Sequence, residues 1–304
     1  MLFGDGADGH GLLLTGSARD LVTLATPGRV VAEATVRAGL GAFGELEQLT
    51  IEPAGDGAEA LLGRTVGHGF RDAVHAAFPE QVAAATPLAL LLDDLPVAAL
   101  ISGYARLYLG EIVGDQATQA MKSDICSGWR AEGTMMTSVH AGRGVPVTVG
   151  PPVPLIVEEL AHDPDGWHAI GPLPVGAMRR RRLVDVHDAG DTWQVQAMFR
   201  DTHVDHDGEE TVLHEYALTA TVDSATRTFT ACKAVPRVLP WVECPVAAAS
   251  ADHLVGQRVD DVRDFVRAEL RGTTTCTHLN DLLRSLGDVA HLADSLSVLA
   301  RQPA

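Results

Sequence analysis

Apolar and polar side chains alternate along Trp193-Gln-Val-Gln-Ala-Met-Phe-Arg200, and again, with interruptions, from Leu213 to Val222. Both stretches read as half-buried β-strands, with Arg227 to Val235 as a third. The period then changes. Cys244-Pro-Val-Ala-Ala-Ala-Ser-Ala-Asp-His-Leu-Val-Gly256 is a small-residue turn, and Val259-Asp-Asp-Val-Arg-Asp-Phe-Val266 follows with apolar residues at helical spacing. Cys276-Thr-His-Leu-Asn-Asp-Leu-Leu283 opens a second amphipathic helix. An antiparallel sheet followed by helices, without strict alternation of the two, predicts an α+β fold.

The same order of elements recurs earlier in the chain. Ala34-Thr35-Val36 through Phe43 matches Ala220-Thr221-Val222 through Phe229 at constant offset. Leu62-Gly63 to Val66 then matches Val255-Gly256 to Val259. Thr86-Pro87-Leu88 with Leu91, Leu92 and Leu95 matches Thr277-His278-Leu279 with Leu282, Leu283 and Leu286. A degenerate internal duplication follows, with a first half over 1–105, a connecting arm over 106–174 and a second half over 175–304. The halves differ where chemistry would sit: His278 faces Pro87, Cys276 faces Ala85, and Cys244 has no counterpart. The second half is therefore expected to carry the site, and the chain to be a pseudo-dimer. Association of two such chains is compatible with the sequence. In the polar, Gly/Pro-rich arm, Cys126 reads as a buried structural cysteine, with a contribution to the second half's site as the alternative.

Composition narrows the partners. With 23 basic against 40 acidic residues the net charge is −17, so a nucleic-acid backbone would be met with repulsion. An apolar content of 46% supports packed cores. No apolar run reaches the roughly 20 residues of a membrane span, and the start Met-Leu-Phe-Gly-Asp-Gly lacks a secretory signal pattern. The chain is accordingly expected to be cytoplasmic, with no membrane partner. Neither a dinucleotide-binding Gly-x-Gly-x-x-Gly nor a phosphate loop is present, so no nucleotide cofactor is indicated.

In a cytoplasmic chain, four cysteines (Cys126, Cys232, Cys244, Cys276) point to metal or catalytic use before disulfides. Cys244 and Cys276 each stand at the mouth of a predicted helix, where free N–H groups and partial positive charge favour a thiolate. Cys232, in a strand beside Lys233, is expected to be inert.

Arg182 with Asp185, Trp193, Asp201-Thr202-His203, His214-Glu215-Tyr216, Cys244-Pro245 and Cys276-Thr-His278-Leu279 resemble a bacterial family of unknown function over about residues 178–290. More distantly, Cys244-Pro-Val-Ala-Ala-Ala-Ser with Val255-Gly256, and Cys276 with Leu279, resemble the second and third cysteine elements of the IscU- and NifU-type iron–sulfur scaffolds. That resemblance implies an IscU/NifU-like α+β fold in each half. It also aligns His214 with the scaffold aspartate and Val212 with the scaffold's first cysteine. Loss of that thiolate leaves His214, Cys244 and Cys276. This set suits one zinc or iron ion, zinc preferred, better than a cluster. The fourth position is open to water, Asp201, Glu215 or His278.

Around this ion, Asp201 and His203 are candidate proton carriers on the loop after a strand. Arg181 and Arg182, in the run Arg179-Arg-Arg-Arg182, are candidate clamps for a substrate carboxylate or phosphate; a solvated strand edge is the alternative for that run. The expectation is a metal-dependent lyase or hydrolase acting on a small carbonyl, carboxylate or acyl substrate. Its alternative is a non-enzymatic carrier of metal, persulfide or an iron–sulfur cluster.

Overall fold

Period-two patterning produces eight antiparallel strands: β1 (Leu2–Asp5), β2 (Leu12–Val22), β3 (Arg29–Leu40), β4 (Leu46–Glu52), β5 (Met178–Asp188), β6 (Thr192–Val204), β7 (Glu210–Asp223) and β8 (Thr228–Val238). They form one sheet in the order β4-β3-β2-β1-β5-β6-β7-β8. The computed structural model describes residues 2–5, 11–24, 28–109, 123–153, 166–168 and 171–300. Helices follow each set of four strands. After β4 come α1 (Phe70–Ala77), α2 (Pro79–Ala83) and α3 (Pro87–Tyr108); the arm contributes α4 (Thr134–His140); after β8 come α5 (Val262–Glu269), α6 (Thr277–Ser285) and α7 (Val289–Ala300). The fold is therefore α+β and internally duplicated, with the two four-stranded halves joined where β1 pairs with β5.

Backbone hydrogen bonds show the duplication most clearly. Gly63 N–H donates to Leu46 O at 2.8 Å and Leu46 N–H to Arg64 O at 2.9 Å; Gly256 donates to Phe229 O at 2.8 Å and Phe229 to Gln257 O at 2.9 Å. Val66 and Val259 likewise donate to Gly44 O and Arg227 O. Gly63 and Gly256 both take positive φ, 75° and 88°, a conformation open to glycine. The counterpart of Phe229 is thus Leu46 and not Phe43, which lies 89% exposed in a hairpin turn longer than its equivalent. The sequence match drifts there because a turn tolerates insertion and a buried strand position does not.

Each half packs its helices on its own part of the sheet. Leu88, Leu91, Leu92 and Leu95 of α3 enter one core, and Leu279, Leu282, Leu283 and Leu286 enter the other. Helix α3 is long and apolar enough to cross a membrane by length and composition, although Asp93 and Asp94 interrupt its apolar run. In the structure 61% of its apolar window is buried inside the molecule.

Where the halves meet, the buried side chains are charged. Arg71 of α1 reaches Asp281 of α6 at 3.1 Å and Asp93 of α3 at 3.4 Å. Arg284 of α6 reaches Asp93 at 2.5 Å, and Arg182 of β5 reaches Asp94 of α3 at 2.8 Å. Charges this far from water persist only when paired, so these bridges fix how one half sits on the other. Their signature is present in the sequence: Asp93, Asp94, Asp281 and Arg284 are charged residues set inside apolar helical runs.

Three expectations change here. Arg179–Arg182 is not a solvated edge but lies in β5, in the middle of the sheet, with Arg179 and Arg180 buried. Asp201 and His203 are not on a loop; β6 continues to Val204, and both are buried. Cys244–Leu254 forms a 3₁₀ helix instead of a turn. Of the arm, His162–Asp165 lies outside the described residues. Gly150–Val153 lies along the start of β7, with Val212 N–H donating to Pro151 O at 2.9 Å and Val153 N–H to Glu210 O at 3.0 Å.

Candidate metal centre

Strand register assembles the site. Arg180 of β5 stands opposite Asp201 of β6, and Asp201 opposite His214 of β7, so the three form one cross-strand row. Alternation sends that row inward, because Phe199 and Tyr216, two positions along β6 and β7, are core residues on the same face. Immediately beyond the row the pairing of β6 and β7 shifts by one residue at Asp201/Thr202, leaving Leu213 as the extra residue on β7. The first turn of α6 then places His278 over His214. Their rings stack with centroids 3.9 Å apart and planes 18° from parallel.

One nitrogen each of His214 and His278 and one carboxylate oxygen of Asp201 all lie within 4.8 Å of one another. Asp201 is fully buried and is held from one side by Arg180, whose Nε and Nη2 donate to Oδ1 at 2.6 Å and Oδ2 at 2.7 Å. From the other side, His214 Nδ1 lies 3.6 Å from Oδ2. That nitrogen is buried without a hydrogen-bond partner. Burial holds His278 down to about 3, helped by the Arg180 guanidinium. Burial, then the neighbouring His278, hold His214 well below its usual value, against the opposing pull of Asp201. Both imidazoles are therefore neutral at pH 7 and carry a free lone pair. Two neutral imidazoles and a carboxylate form a three-ligand set for a divalent ion such as zinc or iron(II). A carboxylate oxygen has lone pairs enough to keep Arg180 while binding an ion.

The structure brings together only part of the predicted set. His214 and His278 converge, and Asp201, expected as a proton carrier, converges with them. Neither Cys244 nor Cys276 belongs to this group. Cys276 Sγ lies 3.9 Å from His278 Nδ1, just ahead of the first turn of α6. At both helix mouths burial opposes thiolate formation. Burial pushes Cys244 and Cys276 each up to about 12, and the N–H groups of Leu279 and His278 facing Cys276 do not offset it. Cys126 is buried too. The arm that carries it is pinned to both cysteine segments, with Ser127 N–H donating to Thr275 O at 2.9 Å and Ser127 Oγ to Cys244 O at 3.4 Å. Cys232 is a buried core residue of β8.

Other candidates point elsewhere. His203 packs against the rings of Tyr104 at 5.1 Å and Tyr108 at 4.5 Å, away from the Asp201 group, and burial lowers it to about 4. Glu215 follows His214 directly and so faces the opposite side of the sheet, where Arg200 Nε donates to it at 2.5 Å. Arg182 points inward to Asp94, while Arg181 stands opposite Arg200 on the outer face. Arg180, part of the run Arg179–Arg182 but not one of the two arginines named as clamps, is the one that holds Asp201. Strand alternation alone puts it on the inward face, and the pairing of β5 with β6 supplies its partner.

Neither the curated proteins nor the solved structures contain a match to this chain. Residues 178–292, which carry Arg180, Asp201, His214 and His278, match the model of a family described as a protein of unknown function, DUF2889.

Proposed function

We propose that this protein binds one divalent metal ion, zinc or iron(II), through Asp201, His214 and His278, and serves as a metal-binding or carrier protein. The observation that carries this reading is the convergence within 4.8 Å of one nitrogen each of His214 and His278 and a carboxylate oxygen of Asp201. A holding role is favoured over catalysis because the groups expected to move protons are otherwise engaged. Both Asp201 oxygens accept from Arg180, and His203 is packed against two tyrosines.

The reading is tested by metal analysis and a visible spectrum of protein purified without chelator and without oxygen, then reconstituted with zinc or iron(II). One metal per chain, lost in both His214→Ala and His278→Ala, is the expected result. An absence of stoichiometric metal after reconstitution, or full retention in both variants, would sink it. An intense brown chromophore with labile sulfide would replace the single ion with a cluster.

A further inference from the structure

Strand β1 pairs with β2 over its four residues and with β5 over Leu2 and Phe3, and its described part ends where Leu2 stands opposite Thr15 and Arg179. Beyond that point β2 and β5 run on, separated by roughly two strand spacings, about 10 Å, with no described strand between them. The segment Gly166-Trp167-His168 occupies part of this slot, held by Arg19 Nη2 donating to Trp167 O at 3.3 Å. Two cavities open on either side, about 310 Å³ toward the helices and about 580 Å³ toward the outer face. They share Ser17, Trp167, His168, Arg180 and Arg182 as a common wall.

The inner cavity has the volume of a small-molecule site, and its wall has an asymmetric chemistry. Its acids are already engaged: Asp94 with Arg182 at 2.8 Å, Asp288 with Arg263 at 2.5 Å and Asp20 with His291 at 3.3 Å, while Asp185 has a partner of its own. Two of its donors are not satisfied. Arg182 Nε and Trp167 Nε1 are buried and have no hydrogen-bond acceptor. A buried N–H without an acceptor costs about 1–3 kcal/mol and is expected where a ligand supplies one. The wall also holds the apolar side chains of Leu90, Leu91 and Val184.

We propose that this cavity, at the junction of the two halves, binds a small amphiphilic monocarboxylate. The carboxylate oxygens accept from Arg182 Nε and Trp167 Nε1, and the hydrocarbon part lies against Leu90, Leu91 and Val184. A single negative charge fits because Asp94 already neutralises Arg182; a phosphate dianion would bring a second negative charge beside Asp94, Asp20 and Asp288. This inference is independent of the metal reading. It uses no metal ligand, although Arg180 lines the cavity and also grips Asp201.

The test is a titration of the full chain with butyrate, and separately with inorganic phosphate, followed by the indole N–H signals in a ¹H–¹⁵N spectrum. Trp167→Phe identifies its signal among those of the four tryptophans. Butyrate is expected to shift that signal saturably while phosphate leaves it in place. Arg182→Lys keeps a cation beside Asp94 but lacks Nε, and it is expected to weaken butyrate binding about tenfold or more, while circular dichroism and the other indole signals show that the variant is folded. The proposal is overturned if butyrate gives no saturable shift, if phosphate or chloride at equal ionic strength reproduces it, or if Arg182→Lys binds as tightly as the wild type.

Discussion

The imidazoles of His214 and His278, one on a strand and one on a helix, stack at 3.9 Å between centroids with planes 18° from parallel. At that separation two imidazolium charges would repel strongly, and burial penalises each further, so the pair is held neutral. The neutral pair stands beside the buried Asp201 carboxylate, with one nitrogen of each ring and one carboxylate oxygen all within 4.8 Å of one another.

Metal content should separate the two ligand sets. Asp201→Asn, His214→Ala and His278→Ala are each expected to lower metal affinity by at least about tenfold. Cys244→Ser is expected to leave it within about twofold, because its sulfur is not among the converging donors. Competition with a chromophoric chelator reads this directly, and a loss in Cys244→Ser equal to that in His214→Ala would restore the thiolate set.

Arg180 should matter to stability as much as to binding. Removing it in Arg180→Gln leaves Asp201, with 0% side-chain exposure, as an unpaired buried carboxylate. A cost of about 3–5 kcal/mol is expected. Denaturant titration should show the midpoint falling at pH 7. The deficit should narrow in Arg180→Gln/Asp201→Asn, where no uncompensated charge remains.

The contact between His291 of α7 and Asp20 of β2 ties one half to the other and predicts a pH dependence. The Asp20 carboxylate 3.3 Å from Nε2 raises His291 above its usual 6.5, outweighing partial burial. A raised folded-state pKa means the folded protein binds the proton more tightly than the unfolded chain. The stabilisation is therefore complete below pH 6.5 and is lost as pH rises through the folded value. His291→Gln should be less stable than wild type in mild acid, with the difference shrinking as the solution is made alkaline. Equilibrium unfolding of the two proteins across that range checks the sign.

Gly63 and Gly256 should behave alike under substitution. Both sit at positive φ, and a Cβ added at either would meet nothing within 4 Å, so alanine brings strain and no clash. Each replacement is expected to cost about 1–2 kcal/mol, the penalty of a left-handed residue with a side chain. Gly150→Ala is the contrasting case. Its Cβ would fall 1.6 Å from Val212 O, so it should displace the arm from β7 and open that segment to hydrogen exchange.

The amino-acid sequence by itself determined the α+β class, the order of strands then helices, and the duplication, because periodicity and glycine placement are local properties that survive divergence. It also marked His214, His278 and Asp201 as chemically significant residues. Where chain segments are far apart in sequence, tertiary structure decided. The cysteines are at helix starts as the pattern required, yet burial outweighs the helix N-terminus and keeps their thiols protonated. Arg180 and Asp201 became partners through the pairing of β5 with β6, and His278 met His214 only when α6 folded over β7. Register and packing across the sheet are cooperative outcomes of the whole core, and one strand's pattern carries its inward face but not the neighbour that face will meet.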